Sequence, residues 1–132
     1  MSTGHFPQLE RGQALAIVGP QGSGKSQLAR QIAMGYGKFQ QIETGPTFDF
    51  SLRDALNGKV NVLIVDGFLS RKERVEIKKL ITNPTCTFRN PFSASLTTVP
   101  TPLVFLCMQD SSQIQQDDRR FHVIDLSSGV TA

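Results

Sequence analysis

The sequence predicts an α/β fold, a mostly parallel five-stranded sheet flanked by helices, and three observations carry that prediction. Short apolar runs alternate with amphipathic stretches of helical period. The first run ends in a glycine-rich turn that opens directly into a helical stretch. A later run, VLIVDG, ends in an aspartate. Short, continuously apolar runs are what strands covered on both faces look like, and strands alternating with helices are the pattern of parallel crossover connections.

In chain order, residues Met1 to Gly12 read as a loose arm, with a helical turn around Gln8 to Arg11, ahead of one domain over 13–132. Gln13 to Gly19 is the first buried strand. Lys25 to Met34 is a helix with Leu28, Ile32 and Ala29 on one face, stopped by Gly35 and Gly37. Phe39 to Glu43 is a second strand. After Gly45-Pro46, Phe50 to Leu56 forms a short helix that ends at Asn57-Gly58. Val60 to Val65 is a third strand, closed by Asp66-Gly67. Ser70 with Glu73 makes a capping box, and the helix it opens turns Val75, Ile77, Leu80 and Ile81 inward. Its cations Arg71, Lys72, Arg74, Lys78 and Lys79 are interleaved with Glu73 and Glu76, the texture of a solvated, salt-bridged face. Asn83 to Thr98 reads as a hairpin or extended loop projecting from the core. Leu103 to Met108 and Phe121 to Leu126 complete the sheet.

A chain of 132 residues is one domain by length, with no room for a separate lid. The net charge of +3 fits an anionic partner without requiring one. Cys86 and Cys107 match no metal or redox spacing and read as reduced thiols of an intracellular protein. No apolar run approaches the roughly 20 residues of a membrane span, and the N-terminus lacks a signal-peptide core. The expected compartment is the cytoplasm, or the host-cell interior for a phage or viral source.

GPQGSGKS, Gly19 to Ser26, fills the pattern G-x-x-x-x-G-K-[ST], with a buried strand before it and a helix after it. Its glycines let the backbone curl and turn successive N–H groups toward a polyphosphate at the positive end of the helix. Gly19, Pro20, Gln21, Gly22, Ser23, Gly24, Lys25, Ser26 and Gln27 are therefore the candidate nucleotide-binding residues of a P-loop domain. Lys25 has the reach for β- and γ-phosphate oxygens, and the Ser26 hydroxyl is a ligand for magnesium. Asp66, at the C-terminal end of a buried strand, sits where open α/β sheets bind ligands and is the second magnesium residue, acting through Ser26 or a water. The expected cofactors are ATP and Mg2+. Gly67 stands where many ATPases place a glutamate that polarises the attacking water; Glu43 is the candidate substitute, ahead of Asp49.

A phosphate loop, a strand ending in Asp66, a helix, a hairpin-like insert, a strand ending in a polar residue and an arginine pair before the last strand follow one another in that order. The order resembles the AAA+ superfamily and, within it, the superfamily 3 helicases of small DNA viruses, phages and plasmids, over about Gln13 to Leu126. The stretch Lys78 to Ser112 looks most like the family. The resemblance implies that Gln109 stands where the family has an asparagine sensor near the γ-phosphate. It also implies that Arg119 or Arg120, in DRRFHVIDL, serves as an arginine finger in a neighbouring subunit's site. In the hairpin it points to Phe88, Arg89 and Phe92 as nucleic-acid contacts. A single arginine per subunit is a thin grip on phosphate, which a ring of six would repeat.

The leading expectation is thus an oligomeric, ring-forming ATPase acting on single-stranded DNA in phage, viral or plasmid replication, with no membrane partner. Two others stand beside it. One is an ATP-dependent assembly module with weak turnover, which Gly67 and the sparse hairpin favour. The other is a small-molecule kinase, which would want an arginine-rich lid and an acceptor site.

Overall fold

The computed structural model describes residues 9, 13–20, 22–89, 94–109 and 121–126. The apolar run after the arm forms β1 (Ala14–Val18), and the glycine loop leads into α1 (Lys25–Met34). Then follow β2 (Phe39–Glu43), α2 (Phe48–Asn57), β3 (Val62–Asp66) and α3 (Arg71–Thr82). A pair of strands, β4 (Thr85–Arg89) and β5 (Leu96–Pro100), precedes β6 (Leu103–Met108) and β7 (Phe121–Asp125). Five strands make one sheet in the order β2-β3-β6-β1-β7, every pairing parallel, and β4 with β5 makes a separate antiparallel hairpin.

The sheet is covered on both faces, and strand alternation decides which residue goes where. Leu15, Ile17, Val62, Ile64, Phe105 and Cys107 point to one face and pack with Ala29, Ile32 and Ala33 of α1 and with Leu9. On that face Tyr36 stands edge-on to Phe105, with ring centroids 6.1 Å apart, and its hydroxyl accepts the Leu9 amide at 3.1 Å. The intervening residues, Ala16, Val18, Leu63, Val65, Leu106 and Met108 among them, meet α2 and α3 on the other face. All the strands run the same way, so their C-terminal ends, and the loops that follow them, gather at one edge. There the glycine loop and Asp66 come together.

Local differences from the sequence reading have physical causes. The second helix begins at Phe48, not Phe50, because Phe48 is itself buried. The third strand begins at Val62, not Val60. Lys59 takes a left-handed turn (φ 55°), and the amides of Asn61 and Val62 both donate to the Lys38 carbonyl before regular pairing starts. Val75 does not face inward and is half-exposed; the buried stripe of α3 is Glu73, Ile77, Leu80 and Ile81, and position 75 lies off that i, i+4, i+7 row. The hairpin is laid against the helices and does not stand clear of them, since Phe88 and Val99 join the α2–α3 side of the core, with Cys86 packed beside them. Both cysteines are free, Cys107 buried and Cys86 half-buried. The helical turn expected around Gln8 to Arg11 lies outside the described residues apart from Leu9.

Glu73 is a buried carboxylate with a defined task. One of its oxygens accepts the Ser70 amide at 2.8 Å and closes the capping box of α3. The other accepts the Gly45 amide at 2.9 Å, tying the β2–α2 turn to the start of α3. Burial pushes its pKa up, but the bonds from Gly45 and from the Ser70 backbone and side chain outweigh that and leave it below the ordinary value of 4.5. A pKa depressed by folding stabilises the folded chain above the unfolded-state value. That stabilisation fades as pH falls through the lowered folded value. Glu73→Gln presents an NH2 group to one of the two backbone donors and is expected to cost about 1–3 kcal/mol at neutral pH. In thermal melts from pH 7 to pH 3, the gap between wild type and the variant should narrow below pH 4.5.

Candidate phosphate-binding cleft

The loop after β1 is fixed at both ends. The Gly19 amide donates to the Met108 carbonyl at 3.0 Å, tying the loop to β6, and the Ser23 amide donates to the Pro20 carbonyl at 3.1 Å to close a turn. Gly22 and Gly24 have φ of 85° and 86°, a left-handed backbone that residues with a Cβ rarely adopt. Gly19 is required for a different reason. A Cβ there would lie 2.7 Å from Ser23 Oγ and 3.0 Å from Leu126 Cβ, so the loop packs directly on the end of β7.

Helix α1 opens from Gly24 with no side-chain cap and no acidic residue in its first turn. The first amides of a helix have no intrahelical carbonyl to bond, and here no side chain of the cap takes them up. Together with the helix dipole, that makes the start of α1 a place for negative charge. The Lys25 ammonium donates to the Gly19 carbonyl at 2.7 Å and the Pro20 carbonyl at 3.1 Å, which holds it over the loop.

Across from the loop, β3 ends at Asp66, and the chain turns through Gly67 at φ 123°. The Gly67 amide donates to the Cys107 carbonyl at 3.3 Å, and the Thr44 amide donates to the Asp66 carbonyl at 3.1 Å. A Cβ on Gly67 would run into Thr44 Oγ1. A glutamate at this position would be strained on this backbone: the φ disfavours any side chain, and the Thr44 hydroxyl would have to shift to make room.

Between the two lies a cleft of about 550 Å³, lined by Gly22, Gly24, Lys25, Ser26, Gln27, Arg30, Asp66, Gly67, Phe68, Cys107, Met108 and Gln109. Of the residues singled out from sequence, Lys25, Ser26, Asp66 and Gln109 meet in this space, with Gln109 exposed at the end of β6. Glu43 ends β2 and is paired in register with Asp66, but it is exposed and not part of the cleft lining. Asp49 is turned away, 3.5 Å from Lys72, along the groove between α2, α3 and the hairpin. Gln21, Phe92, Arg119 and Arg120 lie outside the described residues. Phe88 is corrected: its ring is buried against α2 and α3 and is no surface for stacking, whereas Arg89 is exposed. Alternation explains the difference, since Cys86 and Phe88 share the inward face of β4 while Thr87 and Arg89 point out.

Sequence reading missed Arg30, Phe68 and Cys107 as cleft residues. Arg30 had a visible signal, four residues after Ser26 on the same helix stripe. Phe68 is 77% exposed while its neighbour Leu69 is buried, a split that the sequence does not announce. Cys107 forms part of the floor; burial and then the Asp66 carboxylate push its thiol up to about 12. It stays a neutral thiol at physiological pH.

A hydroxyl from Ser26 and a carboxylate from Asp66 are oxygen donors on one cleft, the ligand type that suits magnesium. Among the described residues no group of three His, Cys, Asp or Glu forms a protein-only cage.

The model of the virulence-associated protein E-like domain matches residues 7–131. The chain belongs to that family. No curated protein matches the sequence. Solved structures of the NrS-1 C-terminal region share the fold of this VapE-like domain. An A-form apo structure of that region aligns at a TM-score of 0.66 and 20% identity, over 90% of this chain and 30% of that one. A further apo structure, of residues 305–718, aligns at 0.62 and 21%, over 89% and 30%. The VapE-like domain thus spans about a third of the length of the chains it resembles. Among the described residues, no helix is long and apolar enough to cross a membrane.

Proposed function

We propose that this VapE-like domain is a P-loop ATPase that binds Mg·ATP in the cleft between Gly19–Ser26 and Asp66, works as a ring-forming oligomer, and acts on single-stranded DNA in phage, viral or plasmid replication. The observation that carries the reading is the convergence of Lys25, Ser26 and Asp66 on one cleft, beside a loop whose Gly22 and Gly24 hold a backbone open to phosphate. Lys25 exchanges its bonds to the loop carbonyls for β- and γ-phosphate oxygens. Gly19 to Gln27 supply the cradle, with Ser26 and Asp66 holding magnesium, which when bound neutralises charge on the β- and γ-phosphates.

In hydrolysis a water oxygen forms a bond to the γ-phosphorus as the bond to the β–γ bridging oxygen breaks, leaving ADP and inorganic phosphate. Gln109 orients that water. Glu43, the carboxylate beside Asp66 on the sheet edge, takes its proton after a local shift toward the cleft. Arg119 or Arg120 of a neighbouring copy neutralises the developing charge. Arg89 remains the hairpin's contact for nucleic-acid phosphate.

A second reading, an ATP-dependent assembly module with slow turnover, is favoured by specific observations. Position 67 is a glycine whose backbone disfavours the water-polarising glutamate, and the burial of Phe88 leaves the described part of the hairpin with Arg89 alone for nucleic acid. ATPase rate measured against protein concentration, with and without single-stranded DNA, separates the readings. A motor predicts a rate per chain that rises steeply with concentration and rises again with DNA. A rate that saturates with assembly but ignores DNA supports the assembly module, and a rate per chain independent of concentration overturns the shared site.

A further inference from the structure

Arg30 is an exposed arginine on the wall of the cleft that neither the loop pattern nor the family resemblance assigns. On α1 it follows Ser26 by four residues and Gln27 by three, so the three share one stripe of the helix. The adjacent stripe, Ala29, Ile32 and Ala33, is buried against the sheet and fixes which way α1 is turned. Among the described residues Arg30 forms no ion pair. It lines the same cleft as Asp66 and Cys107, which pair in register near the ends of β3 and β6. A guanidinium with no ion-pair partner among the described residues thus shares the cleft lining with Asp66 and Phe68.

The position along the cleft identifies what it would touch. Ser26 and Asp66 would hold magnesium, which would neutralise charge on the β- and γ-phosphates. Arg30 shares the Ser26 stripe and lines the same cleft as Asp66 and Phe68, on the wall that would face those phosphates. We infer that Arg30 is a cis-acting ligand of the terminal phosphate, a specificity residue by which the domain tells a nucleoside triphosphate from a diphosphate. The inference rests on the nucleotide reading of the cleft. It adds a cation from the same chain to the one proposed to come from a neighbour. A guanidinium suits the task because its planar fork can bind two phosphate oxygens at once, which a lysine ammonium cannot reproduce. Loss of the γ-phosphate on hydrolysis would then leave Arg30 without its partner and weaken the grip on the product.

The test is calorimetric titration of the whole 132-residue chain with Mg·ADP and with a non-hydrolysable Mg·ATP analogue, for wild type, Arg30→Ala and Arg30→Lys. Arg30→Ala should weaken the analogue on the order of 10-fold or more and ADP by less than about 2-fold, with Arg30→Lys between. The analogue-specific loss should persist at protein concentrations where the chain is monomeric, which an arginine supplied by a neighbour would not allow. Equal weakening of both ligands, or of neither, overturns the inference while leaving nucleotide binding intact. If wild type binds neither ligand, the nucleotide reading fails and Arg30 has no phosphate to recognise.

Discussion

Lys25→Ala is expected to weaken Mg·ATP binding by about 100-fold or more and to remove measurable turnover, while the chain remains folded. The size follows from what the ammonium exchanges. Among the described residues it bonds only the Gly19 and Pro20 carbonyls, at 2.7 and 3.1 Å, and it is half-buried. Against phosphate it makes charge-assisted bonds, each worth about 1.5–3 kcal/mol, to two oxygens that carry most of the ligand's charge. The loss of two partly solvated lysine–carbonyl bonds is smaller, about 1–2 kcal/mol, or a few degrees in melting temperature. Near-equal binding by the variant, measured by calorimetry beside a melting curve that shows it folded, would mean that the loop does not use its lysine for phosphate.

Gly67→Glu, the change that would restore the glutamate common after a strand-end aspartate, is expected to destabilise the chain and yield no faster ATPase. At φ 123° any side chain strains the backbone by about 1–3 kcal/mol. The Cβ also meets Thr44 Oγ1, so the side chain of Thr44, the residue whose amide donates to the Asp66 carbonyl, must shift with it. Thr44→Ala in the same chain removes the steric part alone. The double variant should recover some stability over Gly67→Glu and still fall short of wild type, because the φ strain remains. A Gly67→Glu chain that melts like wild type and hydrolyses ATP faster would show that the turn is more plastic than the close approach of Thr44 implies.

Much of the fold was legible because its elements are single-minded. Lys25–Met34, Phe39–Glu43 and Leu103–Met108 have in the structure the limits that their apolar pattern sets, bounded by glycine or by polar residues. The parallel sheet followed from runs such as VLIV, apolar at every position because both faces are covered. What escaped depends on neighbours distant in sequence. Val75 is apolar and stands near the buried stripe of α3, yet the slot at its level is taken by Glu73, whose charge is satisfied by Ser70 and by Gly45 from another loop. Phe88 in a polar, turn-rich segment reads as a displayed aromatic. Its burial requires knowing that the hairpin lies on α2 and α3. The candidate site divides the same way. The glycine turn between β1 and α1 was legible as a contiguous pattern, as was the strand-end aspartate. The contributions of Arg30 and Phe68, and the close approach of Thr44 to Gly67, come from three separate loops and helices meeting at one edge.

The phosphate grip of the cleft is the claim on which the rest depends, and competition calorimetry with magnesium present tests it directly. Mg·ATP and Mg·tripolyphosphate should bind at one site and displace each other, with AMP far weaker, because the loop, Lys25 and Asp66 engage the phosphate chain and its metal. AMP binding as tightly as ATP, or tripolyphosphate failing to compete, would contradict the account.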